Sequence, residues 1–309
     1  METQSSSQSE VRCPVPSSNE RNSGTRHRQQ ALIHGRVLAY RQSGSGPAIV
    51  LIHGIAEDSD TWIRIIRTLA RDHMVVAPDL FGSGESENSS GDYSLGDQAA
   101  SIRDLMDTLG IESATFVGHS LGGGIALQFA YLFRERCDRL VLVASGGLGR
   151  EVHPLLRLLS VPGVNAVLPL VCSQYVSDRG RAVLKVLRKM GVQSNQADAI
   201  WKAHSNLIEP RKQKAFIRSL NAVIDPGGQS IDATDRLYLT RDLPVLIVWG
   251  DADNVIPVDH AIAAQKAIPH SRLHVIPGVG HFPHIEARRE FLEVMAQFLS
   301  ETSTFPANP

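Results

Sequence analysis

One serine in this chain stands in a pattern that is typical of a nucleophile. Ser120 is the centre of Gly118-His119-Ser120-Leu121-Gly122, which fits G-x-S-x-G. An apolar run precedes the serine and a helical pattern follows it, so the serine is predicted to occupy a strained strand-to-helix turn. The glycines remove side chains where the backbone must pass close to both elements. The pattern predicts that the Ser120 hydroxyl attacks a substrate carbonyl.

A serine hydroxyl needs a base to take its proton, and histidine is suited to that exchange near neutral pH. Among the twelve histidines, His281 lies in a Gly-rich loop directly after the last predicted strand. His284 follows Pro283 and is expected to enter the final helix, and His119 is expected to point away from the nucleophile. The chain order of serine, acid and histidine favours His281 as the base.

An acid must orient the imidazole of the base and stabilise its charged form. Asp251 and Asp253 follow an apolar strand pattern in "LPVLIVWGDAD", at the edge where His281 is expected. The strand that precedes a long helical insertion ends in "VASGG", without a carboxylate. We therefore predict Asp253 as the acid, with Asp251 as the alternative.

Acyl transfer also needs two backbone N–H groups that face the developing oxyanion. One is expected from Leu121, the residue after the nucleophile. The other is expected from Ile55, in the loop after the apolar run "AIVLIHG". This chemistry requires no organic cofactor and no metal ion, and we predict neither.

The predicted secondary structure would bring these residues to one edge of a sheet. Apolar runs of strand length alternate with amphipathic helical patterns, and near-continuous apolar runs are typical of strands buried on both faces. The fold class predicted is α/β, with a doubly wound, mostly parallel sheet and an inserted helical lid. Two shorter runs in "ALIHGRVLAYRQSG" predict an antiparallel hairpin at one sheet edge. The predicted parallel strands fall within 48–54, 74–80, 114–120, 139–145, 243–253 and 272–282.

The chain is predicted to divide into a tail, a core and a lid. Residues 1–27 are rich in Ser, Asn, Gln and Arg, which predicts a disordered tail. The core is expected to comprise 28–148 and 241–309. Residues 149–240 carry helical patterns, with no convincing strand, and are predicted to form a lid over the sheet edge. Apolar side chains of this lid are candidates for substrate binding, namely Trp201, Leu155 and Phe216.

Composition narrows the partners of this protein. The formal charge is −1, from 31 basic and 32 acidic residues, so neither nucleic acid nor an anionic membrane is an expected partner. A small-molecule substrate is expected, and homo-oligomer formation stays open. No apolar stretch reaches the roughly 20 residues that cross a bilayer, and the N-terminus lacks the apolar centre of a secretory signal. With three cysteines in no metal or redox spacing, a cytoplasmic location is predicted.

Taken together, five segments resemble the α/β-hydrolase superfamily. They are His53-Gly54 after the third strand, "DLFGSGES", "GHSLGG", "WGDADNVIP" and "GVGHFPHIE". The resemblance extends from about residue 30 to residue 300, apart from the lid. It implies that Ser120, Asp253 and His281 form a catalytic triad, and it assigns the oxyanion roles to Ile55 and Leu121.

This superfamily hosts many reactions, so the fold alone leaves the substrate open. A serine at the elbow excludes the alkyl-ester chemistry of members with a carboxylate nucleophile. A carboxylesterase or thioesterase is the first prediction. A hydrolase that cleaves carbon–carbon bonds of ring-fission products is the alternative, placed second because "HGIAEDSDTW" lacks the Gly-Pro-Gly-type pattern usual in that group. A lactonase, an acyltransferase or a non-catalytic small-molecule receptor would have the same residues.

Overall fold

A computed structural model describes residues 27–88, 91–164, 168–189 and 195–302. Apart from His27, the predicted tail lies outside the described residues. The strands are β1 (Gln29–Ile33), β2 (Arg36–Ser43), β3 (Ala48–Ile52), β4 (Met74–Pro78), β5 (Ala114–His119), β6 (Cys137–Val143), β7 (Ile224–Asp225), β8 (Gly228–Gln229), β9 (Val245–Gly250) and β10 (Arg272–Ile276).

The helices alternate with these strands along most of the chain. They are α1 (Ile63–Leu69), α2 (Leu95–Thr108), α3 (Leu121–Leu132), α4 (Pro154–Leu159), α5 (Leu168–Val171), α6 (Gln174–Lys189), α7 (Asn195–Asn206), α8 (Pro210–Val223), α9 (Asp259–Ala267), α10 (Pro283–Glu286) and α11 (Arg288–Glu301). Within the described residues, no helix is both long enough and apolar enough to cross a bilayer.

Eight of the strands form one sheet in the order β1-β2-β4-β3-β5-β6-β9-β10. The pairs β1–β2 and β2–β4 are antiparallel, and every later neighbour pair is parallel. The α/β class, the mostly parallel sheet and the antiparallel hairpin at its edge are thus confirmed. Because parallel strands end at the same edge, the loops after β3, β5, β9 and β10 are brought together there.

Helices cover both faces of the sheet, and the strand β3 shows how. Ile49 and Leu51 join an apolar cluster with Trp62 of the turn before α1 and with Phe291 and Met295 of α11. The alternating residues of β3 join the larger cluster on the opposite face, which includes α2, α3 and α9. Side chains alternate between the two faces of a strand, so apolar residues at consecutive positions reflect burial on both faces.

The inserted segment, defined here as residues 149–240, connects β6 to β9 and differs from its prediction in one respect. It contains helices α4 to α8, as expected, but also a hairpin of two short antiparallel strands, β7 and β8. The prediction of no strand in this segment was therefore wrong. Each strand has only two residues, which is too short for a two-residue periodicity to be recognised in the sequence.

Candidate active site

Ser120 occupies the turn between β5 and α3, with a backbone φ of 53°. A non-glycine residue at positive φ is strained, and such strain persists only where surrounding structure enforces it. The N–H of Ser120 donates to the carbonyl of Val143 at 3.0 Å. A Cβ atom on Gly118 would come within 2.2 Å of the Gly122 carbonyl oxygen, and one on Gly122 within 2.3 Å of the Ile52 oxygen. The glycines of the pattern are therefore required by close backbone packing.

His281 and Asp253 are paired across the loops that follow β10 and β9. Nδ1 of His281 lies 2.8 Å from Oδ2 of Asp253, and both residues are buried. The other Asp253 oxygen accepts the N–H groups of Val255 at 2.8 Å and Ile256 at 3.0 Å, which fixes the carboxylate. Since Nδ1 donates to the carboxylate, Nε2 is the unprotonated nitrogen of the neutral ring.

Asp251, the alternative acid, lies elsewhere. Its Oδ1 accepts the N–H of Gly278 at 2.6 Å, on the exposed side of the loop after β10. The two aspartates are two residues apart, and the direction of the loop after β9 aims only Asp253 at His281. The structure therefore brings His281 together with Asp253 and leaves Asp251 as a loop-stabilising residue.

The two residues predicted to bind the oxyanion lie beside Ser120. Leu121 is the first residue of α3, so its N–H has no acceptor within the helix. For the N–H of Ile55 we find no acceptor among the described residues. Both residues line the same cavity as Ser120. Both residues therefore lie beside the serine at one cavity, and their role as oxyanion donors stays a prediction.

The cavity above Ser120 has a volume of about 500 Å³ and a lining that is mainly apolar. Of its described lining side chains, only those of Ser120 and Gln229 are polar, and none is charged. Both ends of the Gln229 amide are occupied, since Oε1 accepts the Gly147 N–H at 2.7 Å and Nε2 donates to the Glu151 carbonyl at 3.3 Å. The apolar walls that come from the inserted segment are Val152, Leu156, Val223, Ile224 and Ile231.

The three side chains predicted to bind substrate lie outside this lining. Trp201 packs within the inserted segment, where its ring stacks on His204 with centroids 4.7 Å apart. Leu155 is 54% exposed on α4. Phe216 is buried and lines a neighbouring cavity of about 410 Å³, which also contacts Ile55. These three side chains were predicted because they are apolar and lie in helical patterns. Whether each one lines the Ser120 cavity depends on how the helices pack.

A buried polar cluster behind the elbow escaped the sequence prediction. Nδ1 of His119 lies 3.0 Å from Oε1 of Glu57, and Nε2 of His119 lies 2.8 Å from the carbonyl oxygen of His281. His284 is buried next to them, in α10, and its Nε2 lies 3.1 Å from Oγ1 of Thr61. A signal existed in the sequence, namely an acidic residue shortly after His53-Gly54 and a histidine directly before the nucleophile.

The charges of this cluster favour an ion pair. Burial by itself raises the pKa of Glu57, but the charge and hydrogen bond of His119 outweigh burial and hold that pKa well below its ordinary value. Burial lowers the pKa of His119, yet the Glu57 carboxylate and the His281 carbonyl together raise it. Burial, together with repulsion from His119, brings the pKa of His284 well below 6.5, so His284 is neutral.

Metal binding is a second use that such a cluster can have. One atom from each of Glu57, His119 and His284 lies within 4.8 Å of the other two. However, Nε2 of His119 is bonded to the His281 carbonyl, so a metal ion would need Nδ1 unprotonated, and it would then compete with the ion pair between His119 and Glu57. We interpret the cluster as an ion pair between Glu57 and His119 beside a neutral His284.

Comparison with known proteins places the chain in a family. The profile of the α/β-hydrolase fold family matches residues 47–288, and the chain belongs to this family. The match includes the elbow, both predicted oxyanion residues, and the Asp253–His281 pair. The hydrolase class predicted from the sequence is thereby supported.

The chain is also similar to individual proteins, both in sequence and in structure. An uncharacterized protein of Mycobacterium tuberculosis is 42% identical over 275 residues, which cover 87% of this chain and 80% of that protein. The 2-hydroxy-6-oxo-6-(2'-aminophenyl)hexa-2,4-dienoic acid hydrolase of Metapseudomonas resinovorans is 27% identical over 265 residues, or 84% of this chain and 87% of that enzyme. The solved meta-cleavage product hydrolase of Pseudomonas fluorescens superimposes with a TM-score of 0.68 and 26% identity, and the match covers 88% of this chain and 97% of that one.

Proposed function

We propose that this protein is a serine hydrolase that cleaves uncharged carboxylic esters, thioesters or lactones through an acyl-enzyme on Ser120. The observation that carries this proposal is the position of Ser120, on a strained turn at the floor of a cavity of about 500 Å³ without a charged lining side chain among the described residues. An apolar acyl group fits such walls, and a charged group would lose its hydration there without gaining a partner.

In the proposed reaction, His281 removes the proton of Ser120 through Nε2 as the hydroxyl oxygen attacks the substrate carbonyl. Asp253 holds the ring by its bond to Nδ1 and stabilises the imidazolium that forms. The N–H groups of Ile55 and Leu121 bind the oxyanion, and one such donor is worth about 3 kcal/mol in comparable sites. The imidazolium then protonates the leaving alcohol, and water repeats the sequence to release the acid.

We further propose that the inserted segment acts as a lid. Five of its apolar side chains supply one wall of the Ser120 cavity. Two polar contacts tie it to the loop after β3, because Lys202 lies 3.2 Å from an oxygen of Asp58 and Asn206 donates to the Ala56 carbonyl at 3.1 Å. A segment held in this way can exclude water from the acyl-enzyme and set the size of the acyl group that fits.

Carbon–carbon bond hydrolysis is the second candidate, and its support comes from the relatives. The enzyme of Metapseudomonas resinovorans is named for a dienoic acid, whose carboxylate would require a polar or cationic partner. The described lining of the Ser120 cavity contains no cationic side chain. This difference is why we place ester cleavage first.

The decisive experiment combines covalent labelling with turnover. The purified protein is incubated with a fluorophosphonate probe, the labelled residue is located by mass spectrometry, and p-nitrophenyl esters of increasing acyl length are assayed in parallel. We expect labelling at Ser120 and turnover of apolar acyl esters, with both abolished in Ser120→Ala. Ser219→Ala is the matched control, since Ser219 lines the neighbouring cavity and is expected to leave both unchanged.

The other outcomes are equally informative. Ester turnover near the wild-type rate in Ser120→Ala would refute the proposed nucleophile. Labelling of Ser120 without ester turnover, combined with cleavage of a 2-hydroxy-6-oxohexa-2,4-dienoate, would replace ester cleavage by carbon–carbon hydrolysis.

A further inference from the structure

Three loops that the proposed function requires are joined by one buried pair of side chains. Glu57 accepts the N–H of Gly54 at 3.2 Å through Oε2, and its other oxygen lies 3.0 Å from Nδ1 of His119. Nε2 of His119 lies 2.8 Å from the carbonyl oxygen of His281. Glu57 is 9% exposed, His119 is fully buried and His281 is 4% exposed. The contacts therefore form a continuous chain that is shielded from water.

The acceptors in this chain determine where its protons are. A carbonyl oxygen only accepts, so Nε2 of His119 must carry a proton to bond His281. The Glu57 carboxylate lies 3.0 Å from Nδ1 of His119, at an ion-pair distance without the angle of a hydrogen bond, and its negative charge raises the pKa of His119. We infer that His119 is an imidazolium, which donates from Nε2 to the His281 carbonyl and forms an ion pair with the Glu57 carboxylate. Charge-assisted bonds of this kind are stronger and more directional than neutral ones.

We propose that Glu57 and His119 are positioning residues, which fix the His281 loop and the Ile55 loop relative to Ser120. This inference rests on the proposed function. His119 is adjacent to Ser120 in the chain, so its side chain sets the distance from the nucleophile's backbone to the backbone of His281. Glu57 extends the same connection to Gly54, whose next residue is Ile55. Neither Glu57 nor His119 is required to touch the substrate.

The pair is expected to be important because acyl transfer tolerates little misplacement of the reacting groups. A shift of about 1 Å in a reacting group can lower a rate about 100-fold. The loops after β3, β5 and β10 are separate segments, and the strand pairing of β3 and β10 ends at Ile52 and Ile276, before Ile55 and His281 are reached. The Glu57–His119 pair supplies a connection beyond the ends of these strands.

The test compares variants at Glu57 that differ in what they can bond. Glu57→Ala removes the bond from Gly54 and the ion pair with His119, and we expect kcat for an apolar ester to fall about 10- to 100-fold while KM changes less than threefold. Glu57→Gln can still accept from Gly54 and donate to a neutral His119, so we expect it to recover most of the lost kcat. The matched control is Glu290→Ala, which breaks the half-exposed His274–Glu290 pair of 2.8 Å and should leave kcat unchanged.

Two further measurements keep the test sharp if Glu57→Ala fails to fold. His119→Phe retains an aromatic ring but loses the contacts with Glu57 and with the His281 carbonyl. In Glu57→Ala and in His119→Phe, the rate of fluorophosphonate labelling of Ser120 should fall together with kcat. Ring-¹⁵N NMR of the wild-type protein should show both nitrogens of His119 protonated at pH 7. Wild-type kcat and labelling rates in folded Glu57→Ala or His119→Phe, or a singly protonated His119, would overturn the inference.

These readouts separate failure of the inference from failure of the proposed function. If the wild-type protein turns over no ester, the proposed function fails, but the labelling rates and the NMR spectrum still test the positioning role. If ester turnover depends on Ser120 and is insensitive to Glu57 and His119, only the positioning role fails.

Discussion

Two cavities border the residues proposed for catalysis, and their linings differ sharply. The cavity at Ser120 has a volume of about 500 Å³ and no charged side chain in its described lining. The other has a volume of about 870 Å³, borders Phe282 of the His281 loop and His284 of α10, and is lined by several acidic and basic residues. The cavity where substrate is proposed to react thus has an uncharged lining, and the charged side chains line the second cavity, next to the loops that carry the proposed catalytic residues.

The difference has an energetic basis. An unpaired charge in the apolar lining of the Ser120 cavity would cost several kcal/mol, on the order of the penalty for burying an unsatisfied polar group or more. In the second region, the buried charges have partners, since Glu57 faces His119, and Asp58 contacts Lys202 at 3.2 Å. Paired charges in low dielectric hold geometry firmly, which suits a supporting role.

The largest effect is expected at Asp253, which contacts the proposed base His281 directly. Asp253→Asn should lower kcat about 10⁴-fold, because an amide favours the wrong tautomer of His281. Asp251→Asn is the matched control, because Asp251 contacts the Gly278 N–H on the exposed side of the loop. Ester turnover of the two variants is measured side by side. Equal losses would contradict the assignment of Asp253 as the acid.

A charge placed in the apolar cavity should have the next largest effect. Leu156→Arg replaces a wall residue, and the loss of about 2 kcal/mol of apolar contact should lower kcat/KM for a long acyl ester roughly 30-fold. Leu158→Arg adds the same charge on the outer side of α4, where Leu158 is 55% exposed, and should leave kcat/KM unchanged. An acyl-length series on both variants measures this. A loss in Leu158→Arg alone would show that substrate binds elsewhere.

A smaller effect is expected at Glu286, which supports the His281 loop from the other end. Its carboxylate accepts the N–H of Gly280 at 3.1 Å and the N–H of Phe282 at 3.0 Å, on either side of His281. Glu286→Ala frees both donors, and we expect kcat to fall about tenfold, the result of roughly 1.4 kcal/mol of lost transition-state stabilisation. Glu286→Gln, which retains one accepting oxygen, should lose less. Identical kinetics for the wild type and Glu286→Ala would show that Glu286 does not position the His281 loop.

The smallest effect concerns stability and its pH dependence. The lowered pKa of Glu57 stabilises the fold above about pH 4.3, and this contribution is lost as the pH falls through the folded pKa. The raised pKa of His119 stabilises the fold fully below about pH 6.5, and this contribution is lost as the pH rises through the folded pKa. Both contributions are complete between these values.

Glu57→Gln should therefore lower the Tm most at about pH 5.5, by about 2–4 °C, and less at pH 9. Thermal unfolding at the two pH values measures the difference, with Glu290→Gln as the exposed control. A gap between Glu57→Gln and the wild type that widens from pH 5.5 to pH 9 would contradict the ion pair.

Local patterns in the sequence predicted most of the fold. The apolar runs marked the strands because both sheet faces are covered. The Ser120 elbow was predictable because its glycines are dictated by contacts within a few residues of the chain and with one neighbouring strand. These features depend on short-range steric contacts, so patterns of consecutive residues are enough to predict them.

Contacts between distant segments were decided only by the tertiary structure. Asp251 and Asp253 were alternatives in the sequence, and the turn after β9 aims one of them at His281. Trp201 and Leu155 had the right apolar character, but the packing of the inserted segment turns them away from the Ser120 cavity.

The Glu57–His119 pair joins residues that are 62 positions apart, and the bond from His119 to His281 spans 162. Periodicity and short motifs report what a residue does to its own segment. Which residue pairs with a buried charge depends on how the sheet brings separate loops to one edge. Such a pairing leaves no pattern in consecutive residues.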